Sequence, residues 1–229
     1  MKKLDTVLWL CAFSILLTSS TGYFGGSKAV SDKSKPTTTS TALKLNQIRR
    51  IVCYKDIVDD RYIGAASGTA WHIGNGDFVT AQHVAPFGKH CFDVESGVEL
   101  LVVHNDDQHD IAKLTAVFNE DNVLPAKGLE WKCSGYKPKV KYDAVGFAFG
   151  AFTLTRLSAT KKFTTYQFLV DGLPVVGMRV LDGEMYQGMS GGPIFDSQGY
   201  VVGINNATNG IYTQAFSYEL KDTWLCPKK

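Results

Sequence analysis

The feature that most constrains this chain is a glycine-rich loop around a serine, Gly188-Met189-Ser190-Gly191-Gly192-Pro193. A serine hydroxyl is a poor nucleophile until a base takes its proton, and its attack on a carbonyl needs N–H groups that stabilise the resulting oxyanion. Glycines beside the serine let the backbone turn tightly and bring such N–H groups close to a ligand. The alternative is a Gly-Pro turn that happens to contain a serine.

The positions of the histidines decide between two arrangements of such a loop. The loop satisfies the G-x-S-x-G pattern of α/β-hydrolases, in which the histidine follows the serine. All histidines of this chain precede Ser190, namely His72, His83, His90, His104 and His109. The α/β-hydrolase arrangement is therefore excluded, and the order histidine, aspartate, serine remains open.

Length and composition are those of an ordinary globular protein. The 229 residues are 45% hydrophobic and carry a formal net charge of +2, which suits one substantial domain or two small barrels that share a cleft. The small positive charge by itself argues neither for nor against a nucleic-acid partner. Because no compact run of lysine and arginine follows the N-terminal segment, no nucleic-acid partner is predicted.

The N-terminus has the pattern of a targeting segment. Two lysines precede an apolar stretch at 7–17, and small residues at 18–22 suit a cleavage site. The apolar stretch is shorter than the roughly 20 residues of a membrane-spanning helix. Residues 1–22 are therefore predicted to be a signal peptide, and the protein is expected to be secreted or periplasmic. Membrane attachment through residues 7–22 is expected only if the segment is retained as an anchor.

The next segment, residues 23–46, is rich in serine, threonine and lysine and has few large apolar side chains. Such a composition cannot bury enough surface to fold, so a flexible linker is predicted there. The folded domain is then expected to comprise residues 47–229.

Cysteine usage agrees with an exported protein. If Cys11 leaves with the signal peptide, Cys53, Cys91, Cys133 and Cys226 remain. An even number suggests two disulfides, and three pairings are open. The alternative is buried free thiols. No C-x-x-C spacing occurs, which argues against a structural zinc site.

The predicted domain alternates short strands with turns, which is typical of an all-β sandwich or barrel. Strands are predicted at 48–54, 64–73, 78–80, 98–104 and 111–118. Turn signals such as Gly74-Asn75-Gly76-Asp77 separate them, and long amphipathic helical patterns are absent. A short C-terminal helix is predicted at 216–224, with Ser217 as its N-cap.

A candidate base and a candidate acid lie beside two of these strands. His83 follows the strand that ends at Thr80, and Asp110 directly precedes the strand that begins at Ile111. An aspartate in that place can accept the imidazole Nδ1–H and fix the tautomer of the ring. The alternatives are a structural histidine and a turn acid.

A cation site is a weaker interpretation of the same region. His104, Asp106, Asp107 and His109 carry metal-ligating groups, but their spacing matches no established zinc or calcium pattern. No metal is predicted.

Five segments together resemble the motifs of trypsin-like peptidases, particularly the HtrA type. The segments are Gly68 to Val84 around His83, Asp110-Ile111-Ala112, Val145 to Gly150, Asp182 to Pro193 around Ser190, and Gly199 to Asn206. They occur in the order of the family and cover most of the stretch from Gly64 to Asn206.

The resemblance implies a fold and an activity. It implies two six-stranded antiparallel β-barrels of the chymotrypsin type, the first at about 47–120 and the second at about 139–216, with the active site in the cleft between them. The residues between the barrels, 120–138, are the candidate connector. Such enzymes hydrolyse peptide bonds of protein or peptide substrates through an acyl-enzyme and use no cofactor.

The resemblance also implies roles for individual residues. By position, His83 becomes the base, Asp110 the group that orients it, and Ser190 the nucleophile. The backbone N–H groups of Gly188 and Ser190 become the oxyanion hole.

Departures from the family's pattern bear on its activation and its regulation. Digestive enzymes of this fold have an aspartate directly before the serine, where it pairs with the N-terminus created by zymogen cleavage, whereas this chain has Met189. Activation by that salt bridge is therefore not expected. HtrA-type proteins usually continue into a PDZ domain, which is not expected here.

Four residues are predicted to bind substrate. Glu184 lies six residues before Ser190, where trypsin has the acid of its specificity pocket, and a carboxylate there favours lysine or arginine in the substrate. The alternative is a solvated loop glutamate. Gln187 is placed in the same loop, and Asn205 and Asn206 on the edge that pairs with the substrate backbone.

Two other functions share these features. A viral protease of the same fold that processes a polyprotein or a capsid has the same chemistry with a different substrate. A binding module without turnover keeps the barrels, although such a module has no need for all three catalytic side chains.

Overall fold

The computed structural model describes residues 45–59, 61–86, 90–117, 127–151, 155–170, 173–208 and 214–227. The predicted signal peptide, residues 1–22, lies outside the described residues. So does the predicted linker, 23–46, except for its last two residues, which belong to a 3-10 helix, Leu45–Gln47. Among the described residues, no helix has the length and apolar character that a membrane span requires.

Twelve strands and three 3-10 helices of three residues each form the regular structure of the described residues. The strands are β1 Ile48–Val58, β2 Arg61–Gly74, β3 Asp77–Ala81, β4 His90–Asp93, β5 Glu99–Asp106, β6 Ile111–Ala116, β7 Lys141–Gly146, β8 Thr155–Val170, β9 Leu173–Asp182, β10 Pro193–Phe195, β11 Val201–Thr208 and β12 Gln214–Glu219. The five predicted strands of the N-terminal half correspond to β1, β2, β3, β5 and β6.

The strands close into two antiparallel barrels of six strands each. The first barrel has the order β1-β2-β3-β6-β5-β4, and the second has the order β10-β11-β12-β9-β8-β7. Strand β4 pairs back onto β1, and β7 pairs back onto β10, so that each ring is complete. The predicted pair of six-stranded barrels is confirmed.

Apolar side chains pack inside each barrel and also between the two barrels. The first barrel encloses Phe78, Leu100 and Leu114, and burial of each such side chain contributes about 1.5–3 kcal/mol. A separate apolar cluster joins Trp71 of β2 and Ile111 of β6 to residues of the second barrel. This shared core holds the barrels side by side, with the ends of β3, β6 and β11 at their junction.

The C-terminal helix is shorter than predicted. The helix consists of one 3-10 turn, Leu220–Asp222, and residues 214–219 form β12 instead. Ser217, predicted as the N-cap, lies within β12 opposite Asn205 of β11. Pairing with β11 and β9 on both sides satisfies the backbone hydrogen bonds of β12, and this long-range pairing overrides the local helical pattern.

Two disulfides select one of the three open pairings. Cys53 bonds to Cys91, at directly opposed positions of β1 and β4. Cys133 bonds to Cys226, which ties the C-terminal part of the predicted connector to the C-terminal turn. Residues 120–126 of the predicted connector lie outside the described part of the chain.

Candidate active site

The pairing of β3 with β6 brings His83 and Asp110 together. Ala81, the last residue of β3, lies opposite Ile111, the first residue of β6. His83 lies two residues after the end of β3, and Asp110 immediately precedes β6. Nδ1 of His83 lies 2.7 Å from Oδ2 of Asp110, and the His83 backbone N–H donates to Oδ1 at 2.8 Å.

The environment of Asp110 favours its role as a fixed acceptor. Its side chain is 3% exposed, whereas that of His83 is 32% exposed and reaches the protein surface. In a neutral imidazole that donates its Nδ1–H to the aspartate, Nε2 carries no proton. That nitrogen is then able to take a proton from a neighbouring hydroxyl.

Ser190 lies in a tight turn that the first barrel holds in place. Its carbonyl accepts a hydrogen bond from the N–H of Thr69 at 2.8 Å, and the N–H of the next residue, Gly191, donates to the carbonyl of Asn205 at 2.7 Å. The Ser190 hydroxyl donates to the carbonyl of Asn206 at 2.8 Å. Between these described residues no hydrogen bond joins Ser190 to His83, so any proton transfer between them would first require the hydroxyl to leave the Asn206 carbonyl.

Asn206 connects the members of this group. Its Nδ2 donates to Oδ2 of Asp110 at 2.6 Å and to the Asp110 carbonyl at 3.2 Å, while its own carbonyl accepts from Ser190. The sequence interpretation assigned Asn206 to substrate and missed this contact. An available signal was a pair of asparagines at the end of the buried apolar run from Val201 to Ile204.

The two predicted oxyanion N–H groups lie on the turn that ends at Ser190. Among hydrogen bonds between described residues, none uses the N–H of Gly188 or of Ser190. Gly188 has φ +88°, and a Cβ at that position would lie 2.4 Å from the carbonyl oxygen of Phe147. Both the conformation and the close approach therefore require glycine.

Met189 occupies the position at which digestive enzymes of the chymotrypsin type have an aspartate. Its side chain is fully buried in an apolar cluster with Met185, Ile194 and Val202. The conformation of the turn consequently does not depend on an ion pair of residue 189.

The structure separates the predicted substrate-binding residues into two groups. Glu184 and Gln187 are exposed, and the Tyr186 hydroxyl donates to Glu184 at 2.6 Å. Asn205 and Asn206 are buried, and the Asn205 carboxamide donates to the Val145 carbonyl at 3.4 Å. The asparagine side chains thus contact the protein itself, whereas the role of Glu184 in specificity stays a prediction.

The histidines considered as cation ligands, His104 and His109, contact other side chains of the protein. Nδ1 of His109 lies 2.8 Å from Oδ2 of Asp106, and the ring of His104 packs edge-on against Trp224 at 5.3 Å between ring centres. Within the described part of the chain, no three histidine, cysteine or acidic side chains gather as a metal site.

Paired antiparallel barrels with histidine, aspartate and serine at their junction define a chymotrypsin-like protein. The sequence matches the model of the trypsin-like peptidase domain over residues 68–204, and the chain belongs to that family. This result confirms the resemblance inferred from the motifs. The domain is a peptidase domain.

Solved structures support the same fold. The active form of the Rv3671c protease from M. tuberculosis is 18% identical, with a TM-score of 0.60, over 88% of this chain and 89% of that chain. The inactive form of the Rv3671c protease is 20% identical, with a TM-score of 0.56, over 75% of this chain and 83% of that chain. No curated protein sequence is significantly similar to this chain.

Proposed function

We propose that the protein is an exported serine endopeptidase in which Ser190 attacks the peptide carbonyl. The observation that carries the proposal is the 2.7 Å contact between Nδ1 of His83 and the buried Oδ2 of Asp110, beside the Ser190 turn. Once the Ser190 hydroxyl turns toward the imidazole, Nε2 of His83 accepts its proton as the Oγ–C bond forms. Asp110 stabilises the imidazolium that results.

Collapse of the tetrahedral intermediate completes the first half of the reaction. The proton on Nε2 passes to the leaving amine, the C–N bond breaks and an ester forms on Ser190. Water, deprotonated by His83, then attacks the ester and releases the second product and the free hydroxyl. The N–H groups of Gly188 and Ser190 stabilise the oxyanion in both halves, because hydrogen bonds to a developing charge act mainly on the transition state.

The proposed compartment is outside the cytosol. Two disulfides within one domain suit a secreted or periplasmic protein, since thiols are kept reduced in the cytosol. Residues 1–22 are proposed to direct export as a signal peptide. N-terminal sequencing of the exported protein tests this proposal, and a mature chain that starts at Met1 would refute cleavage.

The proposed substrates are proteins or peptides, with Glu184 favouring lysine or arginine before the cleaved bond. The exposed carboxylate of Glu184, with the Tyr186 hydroxyl on one of its oxygens, is the basis of this preference. A matched pair of peptides with Arg or Leu at that position tests it. Equal cleavage of the two peptides would remove Glu184 from substrate recognition.

Labelling with a fluorophosphonate and turnover of a peptide substrate test the proposed chemistry. Ser190→Ala should abolish both, and His83→Ala should lower turnover by roughly 10⁴-fold or more. His90→Ala is a matched control, because Nδ1 of His90 lies 2.9 Å from a carboxylate of Glu99 on the surface of the first barrel. Undiminished labelling of the Ser190→Ala protein would refute the assignment.

A further inference from the structure

We infer that Thr69 is the positioning residue of the oxyanion hole, an inference that rests on the proposed function. Thr69 belongs to β2 of the first barrel, whereas Gly188 and Ser190 belong to the second. The side chain of Met189 is apolar and buried, so it does not bind the polar backbone groups of the turn. Hydrogen bonds to these groups must come from other residues. Thr69 supplies such an anchor across the junction of the barrels.

Three hydrogen bonds join Thr69 to the second barrel. Its hydroxyl donates to the carbonyl of Gly188 at 2.8 Å and accepts from the N–H of Phe147 at 3.0 Å. Its backbone N–H donates to the carbonyl of Ser190 at 2.8 Å. Thr69 is completely buried. One residue therefore binds the carbonyls of both residues whose N–H groups are proposed to hold the oxyanion.

The hydroxyl also acts on the peptide that carries the Gly188 N–H. By accepting from Phe147, Thr69 anchors the turn whose Phe149 N–H donates to the carbonyl of Gln187 at 2.5 Å. In a trans peptide the carbonyl and the N–H point in opposite directions. The Gln187 carbonyl is held against the Phe149 turn, so the Gly188 N–H is directed away from that turn.

Glycine makes such anchoring necessary. Gly188 has φ +88°, and a glycine exchanges between backbone conformations more readily than any other residue. Rotation of the peptide between Gln187 and Gly188 would replace a donor in the oxyanion hole by a carbonyl oxygen. The bonds from Thr69 and Phe149 oppose that rotation from both sides of Gly188.

Arg50 strengthens the same anchor from the neighbouring strand. Arg50 of β1 lies directly opposite Thr69 in the ladder of β1 and β2. Its Nη1 donates to the carbonyl of Gly150 at 2.6 Å, and a bond from a charged donor is stronger than one between neutral groups. Two cross-strand neighbours thus hold both ends of the Phe147–Gly150 turn.

The test compares Thr69→Val, Thr69→Ser and Thr223→Val in the full exported protein. Valine has the shape of threonine without a hydroxyl, and serine restores the hydroxyl. Thr223 is a matched control, because it is a buried threonine whose hydroxyl donates to the Leu220 carbonyl at 2.8 Å, in the C-terminal turn. Turnover of a peptide substrate and inhibition by a peptide aldehyde, whose hemiacetal oxygen occupies an oxyanion hole, are measured for each protein.

Thr69→Val should lower kcat by up to roughly 10²-fold, the loss seen when one oxyanion donor is removed. KM should change little, and the inhibition constant of the aldehyde should rise in parallel with the loss of kcat. Thr69→Ser should recover most of the activity, and Thr223→Val should have the wild-type kcat. If Thr69→Val does not fold, Thr69→Ala is compared with Thr69→Ser instead.

Wild-type kcat and aldehyde inhibition in Thr69→Val would overturn the inference, and so would an equal loss in Thr223→Val. Absence of turnover and of labelling in the wild type would instead refute the proposed function. Crystal structures of the wild type and of Thr69→Val would then decide the inference by themselves. A rotated Gln187–Gly188 peptide in the variant supports it, and an unchanged peptide overturns it.

Discussion

The carboxamide of Asn206 donates a 2.6 Å hydrogen bond to Oδ2 of Asp110, the same oxygen that lies 2.7 Å from Nδ1 of His83. Asn206 is buried in β11 of the second barrel, and Asp110 precedes β6 of the first. The carboxylate is therefore oriented from both barrels. This contact couples the geometry of the proposed base to the packing of the two barrels.

Replacement of Asn206 by leucine should lower kcat/KM by about 10-fold to 100-fold. A hydrogen bond to a charged group contributes about 1.5–3 kcal/mol, and its loss leaves Asp110 freer to move away from His83. Asn206→Asp, which adds a like charge beside Asp110, should lose at least as much. Steady-state kinetics measure the effect, and the loss should fall on kcat if Asn206 positions Asp110 and on KM if it binds substrate. Wild-type kinetics in a folded Asn206→Leu protein would contradict the prediction.

Gly188→Ala should reduce kcat by on the order of 10²-fold or more, because the new methyl would meet the Phe147 carbonyl and displace the N–H proposed to hold the oxyanion. Gly97→Ala is the matched control. Gly97 has φ +70°, close to the +88° of Gly188, but nothing lies within 4 Å of its Cβ position. Both variants should lose about 1–2 kcal/mol of stability from the left-handed backbone, and only Gly188→Ala should lose activity. Equal activity of the two variants would show that the contact with Phe147 does not matter.

The elements that position His83 and Asp110 were predictable from local patterns. The turn at Gly74-Asn75-Gly76-Asp77 marks the start of β3, and the apolar run after Asp110 marks β6. Both signals depend on residues that are close in sequence. The order of the histidines relative to Ser190 then excluded the competing fold.

The contacts that fix the serine turn were not predictable in the same way. Thr69 and Gly188 are 119 positions apart, and Asn206 and Asp110 are 96 positions apart. Each pair forms only when two complete barrels pack against each other, and no local pattern encodes that register. The prediction of a C-terminal helix at 216–224 was wrong for a related reason. The pairing of β12 with β9 and β11 outweighs the local helical propensity of its residues.

Removal of the Cys133–Cys226 disulfide should destabilise the protein more than removal of Cys53–Cys91. The two bonds close loops with sequence separations of 93 and 38 residues. In the chain-entropy treatment the larger loop contributes about 0.8 kcal/mol more to the free energy of unfolding. Urea unfolding of the two paired Cys→Ala variants measures the difference. The prediction fails if loss of the bond between β1 and β4 is the more damaging of the two.

Stability should decrease below about pH 6.5 because of the buried His72. Its Nε2 accepts a hydrogen bond from the Gly76 N–H at 3.1 Å, which requires that nitrogen to be unprotonated. Burial, together with the nearby charge of Arg49, lowers the pKa of His72 from its ordinary value of 6.5, while Asp77 acts in the opposite direction.

The direction of this pH effect follows from the different pKa values of His72 in the folded and unfolded chain. The unfolded chain takes up the His72 proton near its ordinary pKa, whereas the native chain does so only at lower pH. The contribution of neutral His72 is therefore complete above the unfolded pKa and is lost as the pH falls toward the native one, by at most about 1.4 kcal/mol per pH unit.

His72→Gln keeps an acceptor for the Gly76 N–H and does not titrate. Urea unfolding between about pH 5 and pH 8 should show a steeper loss of stability in the wild type than in this variant. The two proteins differ only at residue 72, so identical pH profiles would exclude His72 as the cause.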